Sequence, residues 1–329
     1  METFRTFIPP AKPPFSLTHD DHLVLLGSCF TEHFGERLLQ SRFDVLVNPN
    51  GIVYNPVSIG QSLLRLLQQE PYAASDLFSL NGLWHSWAHH GHFSKPSPEE
   101  ALREIDAAFC AAQAALARCT CLMLTLGAAQ VHRLLENGAV VANNHKAPAA
   151  WFVQEMLSVG QCVEALAPAL SALQVQRPGV QVLLTVSPVR HTRQGMVENQ
   201  RSKATLVLAC AELERQLPFV SYFPAYELLL DDLRDYRFYA ADMIHPSAVA
   251  VDYIWAYFSQ AFFPDDTRNL LHRFQRLHAA VQHRPFHPHT PAHRSFLEQQ
   301  LNEVQALQAL MPKLDFSAER RHFEQQLNA

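Results

Sequence analysis

The stretch Leu23-Val24-Leu25-Leu26 followed at once by Gly27-Ser28-Cys29-Phe30-Thr31 decides how the rest of the chain is read. A short apolar run ending in a Gly turn has the form of a buried strand, and the turn lifts the next side chains out at its carboxyl edge. A helix-period segment follows from Thr31, which is the natural cap in Thr31-Glu32-His33-Phe34. Polar side chains there sit beside the positive end of the new helix.

Working outward, strand-like runs recur at 44–47, 121–126, 181–187 and 219–223. Helix-period segments lie between them near 32–41, 56–69, 98–117, 150–174 and 199–217. Strands alternating with helices predict a three-layer α/β/α domain with a mainly parallel sheet, whose ligands bind at the strand carboxyl ends. Residues 70–98, with Trp84, Trp87 and His89-His90-Gly91-His92, read as an insertion. From about 265 the chain turns helical, with a Pro-rich break at 284–291 before a last pair of helices near 292–310 and 317–327. The division expected is a catalytic domain over 1–265 and a helical appendage over 266–329. The appendage either packs back on the core or joins two copies of the chain.

The far end of the strand–helix region holds Asp242-Met243-Ile244-His245-Pro246-Ser247. An acid three residues before a His, where Pro and Ser open a helix, lets the carboxylate hold one ring nitrogen while the other faces outward. With a nucleophile after the first strand, this completes the parts of a nucleophile–His–Asp machine, with His245 as general base and Asp242 as its orienter. The competing account of Asp242 and His245 is a turn cap and a packed His.

Composition narrows the classes. Among 329 residues, 48 % are hydrophobic and 17 % charged, which excludes disorder as the main state. A net charge of −5 without a basic block disfavours nucleic acid as a partner. No run approaches the ~18 apolar residues of a membrane span, and the first ten residues, Met1 to Pro10, lack the apolar core of a secretory signal. Six scattered cysteines without a paired framework read as free thiols in a reducing cytoplasm. No cofactor motif is present. Among eighteen histidines the one dense cluster, His85, His89, His90 and His92, lacks the company and register of a zinc site, so no metal is expected and His89 and His90 are placed at the pocket.

The ordered blocks resemble one known family. Gly27-Ser28-Cys29-Phe30-Thr31, then 48–56 (Asn-Pro-Asn-Gly-Ile-Val-Tyr-Asn-Pro), Thr125-Leu126-Gly127, Asn144-His145-Lys146, 185–191 (Thr-Val-Ser-Pro-Val-Arg-His) and 235–239 (Asp-Tyr-Arg-Phe-Tyr) together are similar to the GSCFA family, a branch of the SGNH/GDSL hydrolases. The resemblance spans roughly residues 1–265 and implies a flavodoxin-like SGNH fold. It also implies an acyl hydrolase or acyl transferase. Laid without a gap on the superfamily's Gly-Asp-Ser-Leu-Thr, the first block puts Cys29 in the nucleophile slot, with Ser28 as the rival. The helix N-terminus and a neighbouring imidazole would favour a Cys29 thiolate.

The resemblance further implies an oxyanion hole with Gly51 from the second block and Gly127 from the third. Ala129 stands where related enzymes carry an Asn, so Asn143, Asn144, Gln130 or a backbone N–H near Gly127 must replace that donor. Asn144, His145, Arg190 and His191 follow strand-like segments and are expected to bind substrate; Arg190 and Lys146 suit a carboxylate or phosphate, or else pin loops. The expected substrate is a short, polar acyl ester, either a small molecule or a carbohydrate. Two rival classes stand beside this one: an inactive binding module on the same fold, and a metal-dependent hydrolase using the His-rich segment.

Overall fold

A computed structural model describes residues 6–10 and 13–328. Part of the N-terminal stretch read as lacking a signal, residues 1–5, lies outside the described residues. Along the chain, β1 (His22–Gly27), α1 (Cys29–Gln40), β2 (Asp44–Val47) and α2 (Pro56–Gln68) come first. A hairpin, β3 (Leu77–Leu80) and β4 (Leu83–Ser86), precedes α3 (Pro98–Leu116) and β5 (Cys121–Leu126). Next are β6 (Gln130–Leu134), β7 (Val140–Val141), β8 (Phe152–Met156), α4 (Val159–Gln176), β9 (Gln181–Val186) and α5 (Met196–Gln216). The chain ends with β10 (Val220–Phe223), α6 (Ala225–Glu227), α7 (Ala248–Phe262), α8 (Asp265–Gln282), α9 (Pro291–Leu310) and α10 (Ser317–Leu327).

The central sheet has five strands in the order β10-β9-β5-β1-β2, and every pairing is parallel. Counted along the chain, these strands stand in the flavodoxin-like order 2-1-3-4-5. Both faces are covered, which is why the strands read as unbroken apolar runs. Val24, Leu26, Leu122, Leu124, Val182 and Leu184 point one way, into a core shared with α2, α3, α4 and α5. Their neighbours Leu23, Leu25, Cys121, Met123 and Leu183 point the other way, onto α1 and α7. This is the three-layer α/β/α arrangement with a parallel sheet.

Three local readings change. Helix α1 begins at Cys29 with Ser28 as its cap, so Thr31 lies inside the helix. The segment near 150–174 is not one helix. Its first part is strand β8, paired antiparallel with β6, and α4 starts only after Ser158, whose side chain and that of Gln161 form a capping box. Short strands in a small three-stranded ribbon, β7-β6-β8, bury little, and so carry a weak alternation. The insertion contains the hairpin β3–β4, turned by Asn81-Gly82 with both residues at positive φ, as a type I′ turn requires.

Helices α8, α9 and α10 enclose a core of their own around Phe274, Leu297, Val304, Leu307, Phe316 and Phe323. They also touch the α/β layers. Arg42 pairs with Glu319, donates to the Asp315 carbonyl at 3.2 Å and lies 5.3 Å from the Phe316 ring centre. Among the described residues no helix is long and apolar enough to cross a membrane.

Candidate active site

The strand order switches between β1 and β5, and ligands of such sheets bind outside the carboxyl ends at that point. Gly27 closes β1 there. Its φ is +151°, and a Cβ would lie 2.4 Å from the Thr125 carbonyl oxygen of β5, so only glycine fits. The turn is tied on all sides. Gly27 N–H donates to Asn48 Oδ1 (2.9 Å), Ser28 N–H to the Thr125 carbonyl (3.1 Å), and Val53 N–H to the Gly27 carbonyl (3.1 Å). Ser28 is buried, and its hydroxyl accepts the Phe30 N–H at 3.3 Å. Cys29 follows as the first helical residue and is half-buried.

Burial pushes the Cys29 thiol above its ordinary pKa, with Glu32 adding to the rise; the N–H groups of Cys29 and Phe30 and the charge of Lys203 oppose it. The helix N-terminus thus acts as expected but does not prevail over desolvation.

On the far side, Asp242 and His245 meet. Asp242 Oδ2 lies 2.7 Å from His245 Nδ1, and Oδ1 accepts the N–H groups of Ile244 (2.9 Å) and His245 (3.0 Å). These bonds hold the Asp242 carboxyl down to about 2. Both side chains are more than two-fifths exposed. The corner is anchored to the loop after β9: Arg190 N–H donates to the Ile244 carbonyl (3.1 Å), and its guanidinium reaches the Met243 carbonyl and lies 3.7 Å from the Tyr239 ring centre. No hydrogen bond joins Cys29 Sγ to His245 among the described residues.

The sequence matches the GSCFA family over residues 22–258 and the C-terminal domain of a GSCFA domain protein over 274–329. The chain belongs to the GSCFA family. A solved structure of a "putative platelet activating factor from Streptococcus pneumonia" is similar over 73 % of this chain and 83 % of that one, at 11 % identity and a TM-score of 0.37. A likeness at that level leaves function to the residues themselves. Curated proteins give no match.

In this GSCFA chain the remaining blocks divide into those that face the cleft and those that build it. A cleft of about 530 Å³ is lined by Tyr54, His90, Gln130, Asn143, Asn144, Arg190, His191 and Ile244; Cys29 is not part of its wall. Asn143 and Asn144 also form local turns, their side chains accepting the N–H groups of His145 and Lys146. His145 turns away from the cleft. Its Nε2 donates to the Ser86 carbonyl (2.8 Å) beside His85, and burial pushes it down to about 4.

Neither glycine expected in an oxyanion hole has its N–H free. Gly51 N–H donates to the Asn48 carbonyl (2.7 Å) and Gly127 N–H to the Tyr54 carbonyl (2.8 Å). What Gly51 does provide is space and a left-handed turn: φ is +72°, and a Cβ would lie 2.3 Å from the Cβ of His90. Among the described residues no group of three or more His, Cys, Asp or Glu is arranged to hold a metal ion. His85 and His89 are instead bonded to Ser94 and Ser86.

Beside His191 stand three residues of α5, Asn199, Ser202 and Lys203, to which the sequence reading gave no role. His191 N–H donates to Asn199 Oδ1 (2.8 Å), and its own Nε2 is buried without a hydrogen-bond partner among the described residues. Burial pushes His191 down to about 3, helped by Lys203 and His245. Asn199, Ser202 and Lys203 lie on one face of α5 and are all buried. Their signal was present as polar residues at i, i+3 and i+4, in line with the apolar stripe Leu206, Cys210 and Leu213.

Proposed function

We propose that this chain is an acyl hydrolase or acyl transferase of the SGNH type, with Cys29 as nucleophile, His245 as general base and Asp242 as its orienter. The observation that carries this reading is the 2.7 Å contact between Asp242 Oδ2 and His245 Nδ1, which leaves Nε2, without a hydrogen bond among the described residues, on the same sheet edge as Cys29. In the reaction, His245 Nε2 takes the Sγ proton as Sγ attacks the ester carbonyl carbon. The C–O bond to the leaving alcohol breaks, and His245 returns the proton to that alcohol. Water, or an acceptor hydroxyl or amine, then attacks the thioester and gives its proton to His245. The C–S bond breaks and the thiol is restored. Asp242 stays ionised throughout.

Proton transfer requires Nε2 and Sγ within hydrogen-bond reach, roughly 3 Å, or joined through one water. The polar cleft beside the Asp242–His245 corner favours a short, polar acyl ester over a long lipid chain. Within this reading residues 1–265 perform catalysis and residues 266–329 are an appendage. The test is trapping: brief incubation with p-nitrophenyl acetate, acid quench and peptide mass spectrometry. One acetyl group on the Cys29 peptide, absent in Cys29→Ala, is the expected result; acetylation at Ser28, or none with no turnover, overturns it. The lack of a Cys29–His245 hydrogen bond among the described residues favours one second reading, an inactive binding module, which predicts the last of these outcomes.

A further inference from the structure

Lys203 of α5 is fully buried, yet it pairs with no carboxylate among the described residues. Its Nζ donates to the carbonyls of Gly127 (2.6 Å) and Ser187 (2.7 Å), the residues that follow the carboxyl ends of β5 and β9. An ammonium taken out of water without an anion costs several kcal/mol, so the position calls for a counter-charge. Among the described residues, the Cys29 thiol of α1 and the His191 imidazole of the loop after β9 lie within its electrostatic reach, and the Tyr226 phenol of α6 has its ring centre 5.8 Å away. His191 can only add positive charge, and burial pushes the Tyr226 phenol up and away from ionisation. Cys29 is left. It sits at the end of β1, directly beside β5, with Gly27 in register with Thr125 two residues before Gly127.

We infer that Lys203 is a positioning residue that supplies the positive counter-charge for a Cys29 thiolate. The inference rests on the reading in which Cys29 is the reactive side chain. It also accounts for a departure in the third block, where Ala129 occupies the slot of an Asn donor. A buried cation beneath Gly127 provides electrostatic stabilisation at the same edge without a side-chain amide. The pull is mutual: burial brings Lys203 down to about 7 while Cys29 raises it, and Lys203 in turn lowers Cys29 against the effects of burial and Glu32.

The experiment follows alkylation at Cys29 by peptide mass spectrometry, not turnover, so it stands whether or not an ester is hydrolysed. Lys203→Met should slow iodoacetamide labelling of Cys29 about tenfold near pH 6, where Lys203, brought down to about 7 by burial, still carries its proton. Ser202→Ala is the structural control, because Ser202 Oγ accepts the Ala129 N–H (2.8 Å) in the same loop but carries no charge; its labelling rate should match the wild type. An equal slowing in both variants reduces Lys203 to a loop anchor and overturns the inference. Should Lys203→Met fail to fold, the wild-type chain still answers. Anionic iodoacetate should be favoured over neutral iodoacetamide more strongly at Cys29 than at exposed Cys110, and a ratio no higher than that of Cys110 refutes a counter-charge.

Discussion

The turn after β1 and the corner at Asp242–His245 are both short polar loops on the carboxyl edge of one sheet, and they are held in opposite ways. Residues 27–31 are fixed from outside by Asn48, Val53 and Thr125, with Ser28 and Thr31 each 1 % exposed. Beyond its tie to Arg190, the corner is fixed from within, because Asp242 binds the backbone two and three residues on as well as the His245 ring, and both side chains remain open to solvent. A reactive side chain needs a rigid seat. A general base that must meet a substrate needs orientation together with access. The difference teaches that perturbing the first loop should damage the fold, and perturbing the second should damage only the chemistry.

His245→Ala tests that contrast with the largest effect. Turnover of a short-chain ester should fall by at least about 10³-fold, within the range expected for losing a general base. The urea midpoint should stay put, since exposed substitutions usually change stability by less than about 0.5 kcal/mol. Loss of stability together with activity would assign His245 a packing role.

Gly27→Ala is the converse. The new Cβ meets the Thr125 carbonyl at 2.4 Å, and that atom is backbone in the neighbouring strand. Overpacking of this kind costs about 1–3 kcal/mol, and the unfavourable φ adds to it. Chemical denaturation should show a lower midpoint with an unchanged slope. A midpoint equal to the wild type would mean that the turn is not over-determined.

The same division between local and distant causes explains what the sequence made legible. The five central strands were readable because burial on both faces leaves continuous apolar runs, and the helices of both layers because their stripes are wide. The Asp242–His245 pair was readable because its bonds span three residues. Asn48, Asn55 and Lys203 were not. Asn48 acts on Gly27, Asn55 caps α2 and reaches Val141, and Lys203 bridges Gly127 and Ser187, contacts that no local pattern encodes. Gly51 and Gly127 were visible as special positions; the Gly51 N–H is engaged within its own turn by Asn48, but the Gly127 N–H is engaged by Tyr54, a distant partner that spacing along the chain does not reveal.

Acid should affect the buried and half-buried histidines around the cleft more than the exposed corner. Burial holds His89 and His191 down to about 3 and His145 to about 4, against an ordinary value of 6.5. Between those values the unfolded chain binds protons that the folded chain refuses, so stability present above pH 6.5 is lost as the pH falls. Asp242, held at about 2, acts in the same direction at still lower pH. Thermal melts should therefore show a steady decline from about pH 6.5 towards pH 4. A flat profile over that window would mean that these rings are solvated and charged in the folded protein.

The smallest effect expected is that of Ser28→Ala, and it separates the two candidate nucleophiles. The Ser28 hydroxyl is buried and accepts the Phe30 N–H at 3.3 Å, a long bond for a helix cap. Removing a capping side chain costs about 0.5–2 kcal/mol, and the length of this bond places the loss near the lower end. Because Cys29 keeps its own N–H, its helix and its neighbours, its alkylation rate should stay within about twofold of wild type. Ester turnover should persist with it. If Ser28→Ala instead abolishes turnover while Cys29→Ala retains it, the hydroxyl is the nucleophile. The 3.3 Å contact would then be the resting state of a side chain that leaves its cap to react.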